Sequence, residues 1–248
     1  MRMRLDKFIS GQLPGMTRSR VRELLRSKRV TLDGVPATDG QLKIDPETAA
    51  VAVDGEPVPY RRFLYIVMNK PSGVVTAVRD SLSQTVMELL PEKLRRQGLF
   101  PAGRLDKDTE GLLLITDDGE LCHRMLSPGA HVEKEYAVGL SKPLPKDAAG
   151  LFKSGIVLED GTRCRPAELI PGGDPLSCRV LLTEGRYHQV KRMIAAAGSG
   201  VTSLKRVRIG GLLLPEGLPP GESIELEEAV AKALIFSKNR HIDGFPSI

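Results

Sequence analysis

Apolar residues recur at helical spacing in two short segments near the start of the chain, Leu5, Phe8, Ile9 and Leu13, then Val21, Leu24 and Leu25. Each set lines one side of a 3.6-residue turn, which predicts two short amphipathic helices. Pro14-Gly15 separates them, and Thr17 or Ser19 is placed to cap the second at its amino end. Arg29-Val30-Thr31-Leu32-Asp33-Gly34 reads as a strand entering a turn, and Pro57-Val58-Pro59, close after Gly55, reads as a linker. From residue 63 the texture changes to nearly unbroken apolar runs, the first over 63–69 and stopped by Lys70-Pro71-Ser72-Gly73. Further strands are predicted over 112–116, 136–140, 167–170, 177–182 and 201–209, with helical patterns near 85–90, 119–126, 147–153 and 188–197. Strands interrupted irregularly by helices, without a repeated strand-helix-strand unit or a Gly-x-Gly-x-x-Gly, predict an α+β fold over a doubly wound nucleotide-binding one. The expected organisation is a small basic module at 1–59, a larger domain at 60–236 and a loose polar tail at 237–248.

Bulk properties narrow the function. The 248 residues can bury a sizeable core, and no apolar run approaches membrane-spanning length. The amino end goes straight into a charged amphipathic pattern, unlike a signal peptide. Cys122, Cys164 and Cys178 are far apart and odd in number, which argues against a disulfide framework or a zinc site and fits a reducing cytoplasm. The net charge of +5 is unevenly spread: residues 1–34 carry +6, so the rest of the chain sums to −1. A basic cap on a nearly neutral body points to a polyanionic partner, because Lys and Arg neutralise phosphates and release counterions. Arg18 and Arg22, on the second predicted helix, are the candidate phosphate contacts there.

The most chemically suggestive stretch is Gly103-Arg104-Leu105-Asp106-Lys107-Asp108-Thr109-Glu110-Gly111, running into Leu112-Leu113-Leu114-Ile115. A carboxylate in a short polar loop, fenced by glycines and fed into a buried strand, is one a rigid scaffold can present to a substrate. Asp106 is therefore the candidate reacting group, although Asp and Thr also favour plain turns. Asp106 and Asp108 lack the accompanying Asp, Glu or His that a hard divalent cation needs, so metal catalysis and a metal-dependent nuclease are disfavoured and no cofactor is expected. Residues 184–208 carry Arg186, Lys191, Arg192, Lys205, Arg206 and Arg208 against the single acid Glu184. Those cations are expected to find partners outside the segment, in RNA phosphates and in Asp106. His188 reads as a packing or hydrogen-bonding residue, since no Ser or Cys nucleophile accompanies it.

Two of these stretches together carry a family resemblance. Gly103-Arg104-Leu105-Asp106, the following Asp108-Thr109-Glu110-Gly111-Leu112-Leu113, and Glu184-Gly185-Arg186-Tyr187-His188-Gln189-Val190-Lys191-Arg192-Met193 resemble the signature set of the RNA pseudouridine synthases, in particular the RsuA branch. The likeness extends from the amino end to about residue 230. It implies a mainly antiparallel mixed sheet with a central cleft, preceded by an RNA-binding module like that of small-subunit ribosomal protein four. It also implies conversion of a uridine of ribosomal RNA, most specifically 16S RNA in a partly assembled small subunit, to pseudouridine by a cofactor-free cytoplasmic monomer. In that scheme Asp106, Tyr136 and Lys191 are catalytic. Arg104 fills the space left by the flipped nucleotide, Tyr136 stacks on its base, and Arg192 is a second substrate contact. Which of Lys191 and Arg192 pairs with Asp106 stays open at this level, as does whether Asp106 attacks the anomeric carbon or removes the 2′ proton. The competing readings are a large-subunit enzyme of the same branch and a non-catalytic assembly factor.

Overall fold

The computed structural model describes residues 2–127, 129 and 132–237. They fall within two compact units, Met1–Leu64 with Leu90–Leu99, and Tyr65–Leu89 with Phe100–Ile248.

In the first unit, strand β1 (Met3–Arg4) leads into helix α1 (Leu5–Gln12), and helix α2 (Arg18–Arg26) follows. Leu5, Phe8 and Ile9 of α1 and Val21, Leu24 and Leu25 of α2 are buried in one core with Val30, Ile44, Val51 and Val53. The apolar periodicity is thus the interface that holds the helices down. Thr17 caps α2, its hydroxyl accepting from the Arg20 amide at 3.2 Å. Strands β2 (Val30–Leu32), β3 (Val35–Pro36), β4 (Lys43–Ile44), β5 (Val51–Val53) and β6 (Glu56–Pro57) complete the unit. Strand β4 pairs with β1, and the other four form a sheet in the order β3-β2-β5-β6. The unit uses one turn device twice: Asp33-Gly34 joins β2 to β3 and Asp54-Gly55 joins β5 to β6, all four residues at positive φ. That dipeptide suits a two-residue hairpin whose twist matches its strands.

The second unit is built on strands β7 (Tyr65–Lys70), β8 (Phe100–Pro101), β9 (Glu110–Thr116), β10 (Lys134–Leu140), β11 (Glu168–Pro171), β12 (Ser177–Leu182), β13 (Val201–Ile209), β14 (Leu212–Leu213) and β15 (Ser223–Leu226). The main path runs β11-β12-β10-β13-β9-β7-β15, with β14 beside β13 and β8 beside β9. All these pairings are antiparallel except that of β9 with β13. Every residue of β7 is buried, as are Leu112, Leu113, Leu114 and Ile115 of β9. Burial on both faces is why these strands read as continuous apolar runs and not as alternation. Helices α3 (Gly119–Leu126), α4 (Ala148–Lys153), α5 (Gln189–Ala196) and α6 (Glu228–Phe236) complete the unit. The α+β class and antiparallel dominance expected from sequence are present.

Two readings change. The helical pattern near 85–90 is a turn: Thr85 bridges to Val75, and the Glu88 carboxylate accepts from both the Thr85 amide and its hydroxyl. Pro91 follows, and the residue before a proline is pushed out of helical space, so the segment has no room to propagate. Helix α6 was not anticipated as a helix. The expected loose tail, beyond Ser237, lies outside the described residues. Among the described residues no helix is long and apolar enough to cross a membrane.

Candidate active site

The loop from Gly103 to Thr109 is anchored by two buried side chains, Lys70 and Thr76. Lys70, at the end of β7, is fully buried, and its ammonium donates to the carbonyls of Pro71 at 3.0 Å, Lys107 at 3.1 Å and Thr109 at 2.8 Å. Burial pushes its pKa down to about 8, against the opposing pull of Asp108, Asp106 and Glu110. Thr76 donates its hydroxyl to the Leu105 carbonyl at 2.8 Å and accepts from the Leu105 amide at 3.2 Å. The loop closes on itself through the Thr109 amide, which donates to the Asp106 carbonyl at 3.1 Å. With the backbone on either side of Asp106 held, its side chain is presented from a fixed base.

The chain enters β9 at Gly111, with φ of +99°. A β-carbon there would lie 2.2 Å from the Arg206 carbonyl oxygen, so only glycine permits this approach of β9 to β13. Register across the sheet then sets Tyr136 of β10 opposite Arg206 of β13, Arg206 opposite Gly111 of β9, and Gly111 opposite Lys70 of β7. The candidate tyrosine, the glycine that ends the loop and the lysine beneath it thus share one row. A register shift between Glu135 and Tyr136 sets the tyrosine's position in that row.

The acid's partners come from α5. Lys191 Nζ lies 3.2 Å from Asp106 Oδ2 and 2.5 Å from Asp108 Oδ1. Its two acids differ in exposure, 27% for the Asp106 side chain against 70% for Asp108. Burial works against the charge on Lys191, but its bonds to Asp108 and Asp106 outweigh that and raise its pKa. The same bond to Lys191 lowers the pKa of Asp108. His188 Nε2 lies 3.5 Å from Asp106 Oδ1. His188 is the residue before α5 and sits at φ 48° and ψ 34°, a left-handed conformation uncommon outside glycine. The approach to α5 is braced by Gln189, which accepts from the Arg186 amide at 2.9 Å and donates to Glu184.

The structure therefore brings Asp106 and Lys191 together and turns Arg192 away, to Asp160. Arg104 is exposed on the loop two residues before Asp106, and Arg18 and Arg22 are exposed on α2 of the first unit. Most other cations of residues 184–208 find partners inside the protein, contrary to expectation. Arg208 reaches Glu133 and Glu135, Arg186 reaches Glu184, and Arg206 donates to the Leu112 carbonyl. Alternation along β13 explains it, because Arg206 and Arg208 are two apart and both point into buried surroundings. Sequence reasoning missed Lys70 and Thr76 and, reading His188 as a packing or hydrogen-bonding residue, did not place it beside Asp106. The available signal for Lys70 was a lone lysine closing an otherwise apolar run. Among the described residues no group of three or more His, Cys, Asp or Glu is arranged to hold a metal ion.

Residues 64–196 match the family model described as RNA pseudouridylate synthase, and residues 3–49 match the S4 domain. An RNA pseudouridine synthase of Bacillus subtilis is 46% identical over 230 residues, covering 91% of this chain and 95% of that one. The ribosomal small subunit pseudouridine synthase A of Escherichia coli K12 is 42% identical over 234 residues, 94% of this chain and 100% of that protein. A solved pseudouridylate synthase superposes with a TM-score of 0.65 at 36% identity, over 94% of this chain and 99% of that one. With a carboxylate and a lysine joined at the loop that opens β9, and with these matches along nearly its full length, the chain belongs to the RNA pseudouridine synthase family and carries an S4 domain at its amino end.

Proposed function

We propose that this enzyme converts one uridine of small-subunit ribosomal RNA to pseudouridine, with Asp106 as the reacting carboxylate. The observation that carries the assignment is the clamped loop, which presents Asp106 at hydrogen-bonding distance from Lys191. The choice of small-subunit RNA is supported by the names of relatives more than 40% identical over about nine-tenths of the chain.

The reaction breaks the bond between uracil N1 and the ribose, turns the base, and joins C5 to the same carbon, while the C5 proton is replaced by one on N1. A stacked base cannot turn, so the nucleotide must first leave its helix, at a cost of a few kcal/mol. Arg104, exposed beside the loop, takes the vacated position. Asp106 acts at the ribose, on the anomeric carbon or the neighbouring 2′ proton. Lys191 fixes the orientation of that carboxylate, and Tyr136 offers its ring to the extruded uracil. No metal or cofactor enters the scheme. Residues 1–59 form the RNA-binding module, in which Arg18 and Arg22 contact phosphate, and residues 60–236 form the catalytic domain. Arg192 joins them as a phosphate contact, since a surface ion pair such as that with Asp160 is weak enough to exchange. The acid and its lysine come from one unit of one chain, which fits a monomer acting in the cytoplasm on a partly assembled subunit.

Tritium release from RNA carrying 5-tritiated uridine tests the assignment. Asp106→Asn is expected to drop below about a hundredth of wild-type turnover with RNA affinity kept within a few-fold, since the amide keeps shape but loses nucleophilicity and basicity. Turnover above that level removes Asp106 from the chemistry. Modification confined to large-subunit RNA overturns the substrate, and tight binding without any conversion favours an assembly factor.

A further inference from the structure

Tyr187 is the one Phe or Tyr exposed to solvent among the described residues, with 76% of its surface exposed. Each other described Phe or Tyr is buried or half-buried. Its ring stacks on the His188 imidazole, with centroids 3.9 Å apart and planes 17° from parallel. The imidazole in turn lies 3.5 Å from Asp106. The left-handed backbone at His188, φ 48°, is what turns two consecutive side chains onto one another. The order outward from the site is therefore carboxylate, imidazole, phenol ring, solvent. A phenol face left open beside an RNA-modifying carboxylate is a stacking surface for a nucleobase, and every base has a face to offer it.

We propose that Tyr187 is the stacking platform for the base of a nucleotide flanking the target uridine, and that His188 is the positioning residue that sets the ring beside the site. This rests on the reading that Asp106 acts on the ribose of an RNA uridine. That ribose must sit at Asp106, so a base on the outer face of Tyr187, one imidazole and one phenol ring further out, belongs to a neighbour. Stacking accepts any base, so the platform contributes affinity for an unpaired strand and leaves sequence choice to other contacts.

The experiment uses the full chain and a small-subunit RNA fragment that the wild type modifies, with 2-aminopurine replacing the base on either side of the target. In the Asp106→Asn background, emission is expected to fall on binding at one flanking position. Tyr187→Ala should restore that emission and weaken binding roughly ten- to a hundredfold, while Tyr187→Phe keeps both quenching and affinity. In the active enzyme the Tyr187→Ala loss should fall on KM, with kcat changed less than about twofold, the pattern of lost uniform binding. His188→Ala should reduce the quenching as well. Unchanged affinity and quenching in Tyr187→Ala overturns the proposal, as does a loss confined to kcat. A wild type that makes no pseudouridine on any small-subunit fragment overturns the underlying reading instead, whatever the platform does.

Discussion

Two basic segments of this chain look alike in composition and behave oppositely in space. On α2, Arg18, Arg22 and Arg26 recur every four residues, along the flank of the stripe that buries Val21, Leu24 and Leu25. All three are exposed, and none forms an ion pair among the described residues. On β13, Arg206 and Arg208 recur every two residues and are each 3% exposed, committed to the Leu112 carbonyl and to Glu133 and Glu135. The count of cations is similar, but the period differs. A helical period leaves charge outside the buried stripe of an amphipathic element, whereas a strand period of two sets both arginines on the buried face of β13. Basic charge in a sequence points to a polyanion only after its period shows which way it faces.

The largest expected effect breaks the inward case. Arg208→Ala takes from Glu133 and Glu135 the buried guanidinium they share, leaving Glu135 with the exposed Arg179, and losing one side of a buried ionic cluster costs about 3–5 kcal/mol. Urea unfolding should show the midpoint shift, and a loss under 1 kcal/mol would mean that the cluster is solvated after all. The outward case should respond in affinity and not in stability. Replacing Arg18, Arg22 and Arg26 together by Ala is expected to make the slope of log affinity against log salt shallower by about two to three units. Each change should move stability by no more than about 0.5 kcal/mol, as usual for surface positions. An unchanged salt slope would place the phosphate contacts elsewhere.

A smaller effect concerns the third kind of cation, Lys70, which is buried yet paired only with carbonyls. Its proton leaves near pH 8, against 10.5 for an ordinary lysine. Activity should fall as pH rises through about 8, because the loop then loses charge-assisted bonds. The stability contribution has the opposite sign. Between pH 8 and 10.5 the unfolded chain holds a proton that the folded chain has released, so this lysine's burden on folding lightens as pH rises. Lys191 runs the other way, its raised pKa stabilising the fold at lower pH and losing that benefit in more alkaline solution. A pH-rate profile alongside urea midpoints at two pH values separates these. Asp108→Asn, which removes a charge that holds the Lys70 pKa up, should move the alkaline limb to lower pH.

Much of this was legible in the sequence, for reasons that also explain the gaps. The helices of the first unit and the buried strands β7 and β9 follow from periodicity and apolar runs, which are local properties. The Asp106 loop was legible because its glycines and acids are adjacent in the chain. Lys70 was not, since its role arises from carbonyls 37 and 39 residues away. Likewise His188 gains its meaning only from the backbone turn that sets it against Asp106. The partner of Asp106 was narrowed to two adjacent cations on α5, and helix geometry separated them. Lys191 and Arg192 are one step apart, about 100° around the helix axis, so only one faces the loop. The segment at 85–90 misled because its apolar spacing suits a helix while its pairing to Val75 and the proline after it do not.

The acid of the site and its lysine have a consequence for the order in which a newly made chain acquires its properties. Lys191 meets Asp108, 83 residues earlier, and with it Asp106, and Gly111 meets Arg206 only when β13 has been made and laid beside β9. Such distant pairings form late, after long loops have closed, whereas α1 and α2 are neighbours in sequence. Synthesis proceeds from the amino end, and units fold as they emerge. The solvent-facing arginines are therefore in place while the carboxylate is still without its partner, and the growing chain becomes a cationic surface before it becomes an enzyme.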